Sequence, residues 1–161
     1  MTKKAFKPII DSSARILILG SMPGEQSLTE QQYYANKRNA FWQIMFDVFN
    51  AGKHLTDYQD KTNLLRRNDI GLWDVFASCE REGSLDVNIR NGMVNDFETL
   101  FKTHPQIRLI LFNGSTSYKS FKKQMALTSD MLYGVMPSTS PANTVAYQIK
   151  LTAWSAALKQ F

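Results

Sequence analysis

The stretch from Gly20 to Trp42, "GSMPGEQSLTEQQYYANKRNAFW", holds the side chains best suited to chemistry in this 161-residue chain. It begins where the apolar run Ile16-Leu17-Ile18-Leu19 stops, the place where a strand would end. Its Gly and Pro-Gly resemble a phosphate-cradling loop, but no Gly-Lys-Ser/Thr follows, which excludes a typical P-loop ATPase. Tyr33 and Tyr34 offer flat faces on which a base can stack. Asn36, Asn39, Asn113 and Asn143 can each donate and accept hydrogen bonds. Asp74 can accept from a ring N–H. Ser138, Thr139 and Ser140, read at a helix N-terminus, offer hydroxyls and backbone N–H groups to a phosphate oxygen. Aromatic faces, amides, hydroxyls and one carboxylate suit recognition of a flat polar ring. They are the parts of an enzyme that extrudes a nucleotide and reads the flipped base.

Other chemistries lack their residues. Gly-x-Gly-x-x-Gly is absent after the first strand-like run, which argues against a Rossmann dinucleotide site. His54 and His104 stand away from every strand end, so a Ser-His-Asp triad or a His-rich metal site is not supported. A zinc deaminase would need a His/Cys ligand set that is missing. The single cysteine, Cys79, forms no internal disulfide and no multi-cysteine metal site.

The elements that must position these groups alternate. Residues 14–20, 70–76, 107–114 and 132–138 read as strands, the first and third as short apolar runs of the buried type. Residues 39–52, 95–105, 115–127 and 141–161 read as helices; apolar Phe41, Ile44, Met45, Val48 and Phe49 fall at helical spacing and Gly52 serves as a stop. The expected fold is α/β with a mainly parallel sheet, in one domain over 1–161. In such sheets ligands bind beyond the carboxyl ends of the strands. Ser21 to Gly24, Asp74, Asn113 and Ser138 to Asn143 follow or close the four runs, so parallel strands would gather them in one crevice. Polar, turn-forming residues are also the ordinary way to end a strand.

A hydrophobic fraction of 43% is enough for a real core. The net charge of +5 permits a nucleic-acid partner without requiring one. No run of about 18 apolar residues marks a membrane span, and the basic N-terminus lacks the apolar core of a signal peptide, so the cytoplasm is the expected location.

Four segments in this order, "LILGSMPGEQSL", "YYANKRNAFW", "GLWDV" and "PSTSPANT", resemble the uracil-DNA glycosylase superfamily, and most of all its hypoxanthine-DNA (deoxyinosine) glycosylase branch. The likeness spans roughly residues 14 to 154. It implies a three-layer α/β/α sandwich around a short, mainly parallel central sheet. It further implies a monofunctional glycosylase acting on DNA that contains a damaged base, monomeric, with no metal and no cofactor. Ser21 to Ser27 resemble the first active-site motif, with Ser21, Met22, Pro23 and Gly24 at the base and Ser27 towards the DNA. In the mismatch-specific uracil branch an Asn in this motif positions the attacking water; Met22 stands in that place here. In the hypoxanthine branch the duty falls to the Asn before Ala-Phe-Trp, which is Asn39. Tyr34 matches the aromatic that stacks on the flipped base, and Asp74 a base-recognition residue. Asn113 ends the third strand either as a turn residue or as an amide facing the base. Ser138, Thr139, Ser140 and Asn143 match the second motif, which enters the duplex and holds flanking phosphates; Lys37 and Arg38 are placed to contact phosphate. The family commonly follows its tyrosines with a small residue and His-Pro, where this chain has Ala35-Asn36-Lys37.

Each residue also has a plainer role. Asn39 is a good N-cap for the helix it precedes. Of the two tyrosines, one packs in the core and the other stacks. Asp74 can cap a turn, and Phe41, Trp42 and Trp73 are core residues. Three competing functions are a glycosylase for uracil or mispaired bases, a non-catalytic nucleic-acid binder of the same fold, and an α/β enzyme on a small phosphate-bearing substrate. The last leaves the tyrosine pair and the basic charge without work.

Overall fold

The computed structural model describes residues 1–160. At its centre is a parallel sheet of four strands: β2 (Ile16–Gly20), β3 (Ile70–Asp74), β6 (Leu109–Asn113) and β7 (Leu132–Met136), in the order β3-β2-β6-β7. The four strands read from the sequence are therefore all present, each trimmed by a residue or more at its ends. β2 is buried along its whole length and β6 along most of it, which is why both are continuous apolar runs.

Side chains alternate across this sheet and found a core on each face. Ile16 and Ile18 join Leu72 and Leu111 under α2 (Phe41–Phe49), α3 (Tyr58–Arg67) and α6 (Tyr147–Leu158). Leu17 and Leu19 join Trp73, Ile110 and Phe112 under α4 (Phe97–Thr103) and α5 (Ser115–Gln124). Helices on both faces of a parallel sheet make the expected α/β/α sandwich.

Three features differ from the sequence expectation. First, β1 (Thr2–Lys4), β4 (Phe76–Glu80) and β5 (Arg90–Val94) form a separate antiparallel sheet, β1-β4-β5. Its strands are short and half-exposed, so they lack the apolar run that marks the central ones. Second, α3 was not anticipated; its signal was Asp57, whose carboxylate accepts from the N–H groups of Gln59 and Asp60 as an N-cap. Third, the terminal helix begins at Tyr147 rather than at 141, because Ser140 folds the chain into a turn: its carbonyl accepts from Asn143 N–H and its hydroxyl from Ala142 N–H. The end of that expected helix, Phe161, lies outside the described residues. A short helix, α1 (Glu25–Glu30), follows the first loop.

Candidate active site

The first wall is the loop after β2. In the parallel register Gly20 lies beside Asp74, the last residue of β3. A Cβ added to Gly20 would sit 2.5 Å from Asp74 Oδ1 and 2.9 Å from Tyr34 Oη, so only glycine lets these groups meet. The loop is held through its carbonyls. Gly20 accepts from Val75 N–H at 2.8 Å, Ser21 from Phe76 N–H at 3.0 Å and Gly24 from Leu28 N–H at 3.0 Å. Pro23 accepts from Arg81 Nη2, and Arg81 Nε reaches Gly83 O at 3.0 Å. Arg81 is itself buried, so the loop rests on a guanidinium brought from the antiparallel sheet.

The second wall is the tyrosine segment. Tyr33 is core: it packs edge-on to Phe6, donates to Lys7 O, and its carbonyl accepts from Trp42 Nε1. Both tyrosines border the cleft, but Tyr34 is the less buried of the two. Its backbone takes a φ of 55°, the left-handed region that non-glycine residues seldom occupy. One face of its ring stacks on Phe41 at 4.1 Å. Asn39 lies just before α2, whose N-cap is Ala40, and its Oδ1 accepts from Phe41 N–H at 2.9 Å across a two-residue turn. Asn39 is therefore not the N-cap expected from the sequence, that place falling to Ala40, but its bond to the first N–H of the helix fixes the amide in place. A carbonyl oxygen has a second lone pair, which this bond leaves available.

The third wall joins β6 to β7. Asn113 Nδ2 donates to Tyr34 Oη at 3.0 Å and to Thr139 Oγ1 at 2.9 Å, while Oδ1 accepts from Thr139 N–H at 2.9 Å. Its amide is thus spent on joining walls. Thr139 is buried and its carbonyl accepts from Ala40 N–H at 2.9 Å, tying this loop to the start of α2. Gly114 turns the chain with a φ of 92°. Lys150, buried on α6, donates to Ser140 O at 3.2 Å and Asn143 O at 2.8 Å and holds the loop from beneath.

These walls enclose a cleft of about 560 Å³. Ser21, Met22, Pro23, Gly24, Tyr34, Asn39 and Asp74 all line it, as do Asn113, Ser138, Thr139, Ser140 and Asn143. Ser27 lines it too, but is buried with its hydroxyl accepting from Ala35 N–H, which pins the tyrosine loop. Lys37 and Arg38 are exposed and outside the lining. His54 packs against Phe46 and His104 bonds Leu100 O, both away from the cleft. Among the described residues no group of His, Cys, Asp and Glu could hold a metal ion.

Sequence reasoning missed Arg81, Lys150 and the segment Ser84 to Val87, which also lines the cleft. Asp86 there accepts from Ser21 Oγ at 2.7 Å. Asp74 is 3% exposed and its Oδ2 has no hydrogen-bond partner among the described residues. Burial, together with the nearby Asp86 carboxylate and against the pull of Arg81, pushes the Asp74 carboxyl up to about 7. Burial, and then Asp74, also drive the Tyr34 hydroxyl well above the usual tyrosine range, so it stays protonated. The cleft therefore brings the Tyr34 ring, the fixed Asn39 amide and the buried Asp74 carboxyl together, with the Asp86 carboxylate at its side.

Comparison with known proteins bears on this arrangement. The uracil DNA glycosylase superfamily matches residues 8–160. A hypoxanthine DNA glycosylase of Methanosarcina barkeri is 36% identical, covering 99% of this chain and 100% of the relative. One of Methanosarcina acetivorans is 37% identical, covering 99% of each. The solution NMR structure of a candidate uracil DNA glycosylase from Methanosarcina acetivorans superimposes with a TM-score of 0.83 at 36% identity, over 99% of this chain and 98% of that one.

Proposed function

This chain belongs to the uracil DNA glycosylase superfamily, and we propose that it is the glycosylase that removes hypoxanthine from DNA by hydrolysing the N-glycosidic bond of a flipped nucleotide. It is a DNA glycosylase and DNA is its substrate. The observation that carries the finer reading is the meeting of Tyr34, Asn39 and the unpartnered Asp74 oxygen in one cleft at the carboxyl ends of parallel strands.

The base enters beside the exposed face of Tyr34, since Phe41 covers the other. Asp74 Oδ2 accepts from a ring N–H of the base. A trans peptide points its C=O and N–H in opposite directions. With the Ser21 and Pro23 carbonyls bound to Phe76 and Arg81, the N–H groups of Met22 and Gly24 turn the other way, where they stabilise negative charge on the departing base. The glycosidic bond breaks largely before water attacks. Asn39 orients that water through the lone pair that Phe41 N–H does not use. Water supplies hydroxyl to C1′ of the sugar, and its proton leaves with the released base. No lysine or cysteine nucleophile takes part, so the product strand carries an intact abasic site.

Ser138, Ser140 and Asn143 hold flanking phosphates, with Lys37 and Arg38 contributing charge. The protein works as a monomer, and a free buried Cys79 fits the reducing cytoplasm. No helix of the described residues is long and apolar enough to cross a membrane.

Release of free base from duplexes carrying hypoxanthine, uracil or xanthine tests this reading. Hypoxanthine is expected to be the preferred substrate. Release of uracil alone would reassign the specificity. Binding without release of any base would remove the catalytic reading.

A further inference from the structure

A duplex that has lost a base from its stack needs something in the gap. Architectural and base-extruding proteins commonly supply a large apolar side chain, which unstacks the neighbouring step and then fills the space. The loop after β7 is poorly equipped for this. At the cleft it offers Ser138, Thr139, Ser140, Pro141, Ala142 and Asn143, of which Thr139 is buried and Asn143 is turned back onto Ser138 O at 3.0 Å; the exposed Val145 farther along the loop is outside the cleft lining. Ala142 is exposed but too small to replace a base.

The large apolar side chains at the cleft come from the other edge of the sheet. β3 is one edge strand and β7 the opposite one, and the segment Ser84 to Val87 follows β3 through β4. Leu85 is 52% exposed and Val87 76% exposed, and both line the cleft. They are presented by a built turn. Asn88 N–H donates to Leu85 O at 3.1 Å and Ile89 N–H to Asp86 O at 3.1 Å, closing a single turn of 3-10 helix. Between the two apolar residues, Asp86 accepts from Ser21 Oγ at 2.7 Å, which fixes the turn to the first site loop. Ser84 Oγ accepts from Glu25 N–H at 2.9 Å and adds a second tie. Arg90 Nη1 donates to Val87 O at 2.9 Å and Ile89 O at 3.0 Å, so an exposed guanidinium sits at the foot of the apolar pair. An apolar tip with a cation at its base suits a stack of bases flanked by phosphates.

We propose that Leu85 and Val87 form a wedge that enters duplex DNA and occupies the space left by the flipped nucleotide, the β3-side turn taking the part that the small side chains after β7 cannot play. The assignment rests on the glycosylase reading above. It makes the two apolar residues specificity elements for duplex DNA and gives Arg90 a phosphate of the invaded strand.

The test compares the wild type with Val87→Ala and with Leu85→Ala/Val87→Ala. Hypoxanthine is placed in one strand, either paired in a duplex or unpaired in the same strand alone. The ratio of duplex to single-strand release is expected to fall about tenfold or more in the double variant, the size expected for losing the burial of a large apolar side chain. A second readout does not depend on turnover: 2-aminopurine beside the lesion in the duplex should brighten when the wild type binds and much less with the double variant. Both side chains are exposed, so the melting temperature should not change. An unchanged ratio together with equal 2-aminopurine brightening would overturn the wedge. So would an equal loss on both substrates with brightening intact. If the wild type releases no base at all, the glycosylase reading fails, and the wedge is then judged by 2-aminopurine alone, where equal brightening overturns it.

Discussion

Asn113 and Thr139 exchange a pair of hydrogen bonds, each 2.9 Å long: the Asn113 carboxamide donates to the Thr139 hydroxyl and accepts from the Thr139 backbone N–H. The same Asn113 amide reaches Tyr34 Oη at 3.0 Å. One side chain at the end of β6 therefore locks the aromatic wall of the cleft to the loop after β7. An Asn113→Ala substitution strips partners from the buried Thr139 and from Tyr34. A loss of about 1–3 kcal/mol in stability is expected, the cost of leaving such groups unsatisfied. Base release should fall further than that loss explains. Urea unfolding and single-turnover release, measured side by side, check both parts.

Asp74 makes stability depend on pH. Its folded value of about 7 lies above its ordinary 3.8, so the fold prefers the neutral acid. That preference stabilises the protein fully below the ordinary value and is lost as pH rises through the folded one. Asp74→Asn stays neutral at every pH. The variant should gain on the wild type by about 1.4 kcal/mol per pH unit between the two values, then hold a constant lead above pH 7. Unfolding curves of both proteins at several pH values give the comparison, and parallel profiles would show that Asp74 is not held neutral. Base release should fall in the variant above pH 7, where the wild-type carboxyl is ionised and accepts more strongly than an amide oxygen.

Lys37 and Arg38 are exposed beside the cleft rather than inside it. On the proposed reading these charges contact phosphate and act through counterion release. Replacing both by Ala should reduce the slope of log affinity against log salt by about 1.8 on duplex DNA, close to 0.9 for each contact. The single-turnover rate at saturating protein should change little by comparison. Equal slopes for variant and wild type would remove both residues from the DNA interface.

The sequence makes the central layer plain because buried parallel strands need unbroken apolar runs, as in Ile16–Gly20 and Leu109–Asn113. The residues at the strand ends were legible for the same reason: the topology obliges them to converge. Asn39 and Tyr34 were legible through their neighbours in the motif. What stayed hidden are the supports that come from far along the chain. Arg81 reaches Pro23 across 58 positions, and nothing in its local sequence separates it from a surface arginine. Lys150 looks like one more cation on a terminal helix until the loop above it supplies two carbonyls. The antiparallel sheet escaped because its half-exposed strands carry mixed side chains. With it went the turn that holds Leu85 and Val87. Asn113 lines the cleft, as its place at a strand end leads one to expect, but its hydrogen bonds join walls instead of reaching outward, a distinction that only the positions of Tyr34 and Thr139 reveal.

On the proposed reading a water held by Asn39 completes hydrolysis of a hypoxanthine nucleotide. The most direct measurement is the single-turnover rate of base release from hypoxanthine-containing duplex DNA, with saturating wild-type or Asn39→Ala protein and duplex affinity measured alongside. The rate in Asn39→Ala is expected to fall by about 10²–10³, the usual cost of removing one well-placed polar group, with affinity changed by only a few-fold. Equal rates for wild type and Asn39→Ala would overturn the water-positioning role and leave Asn39 only its turn bond to Phe41 N–H.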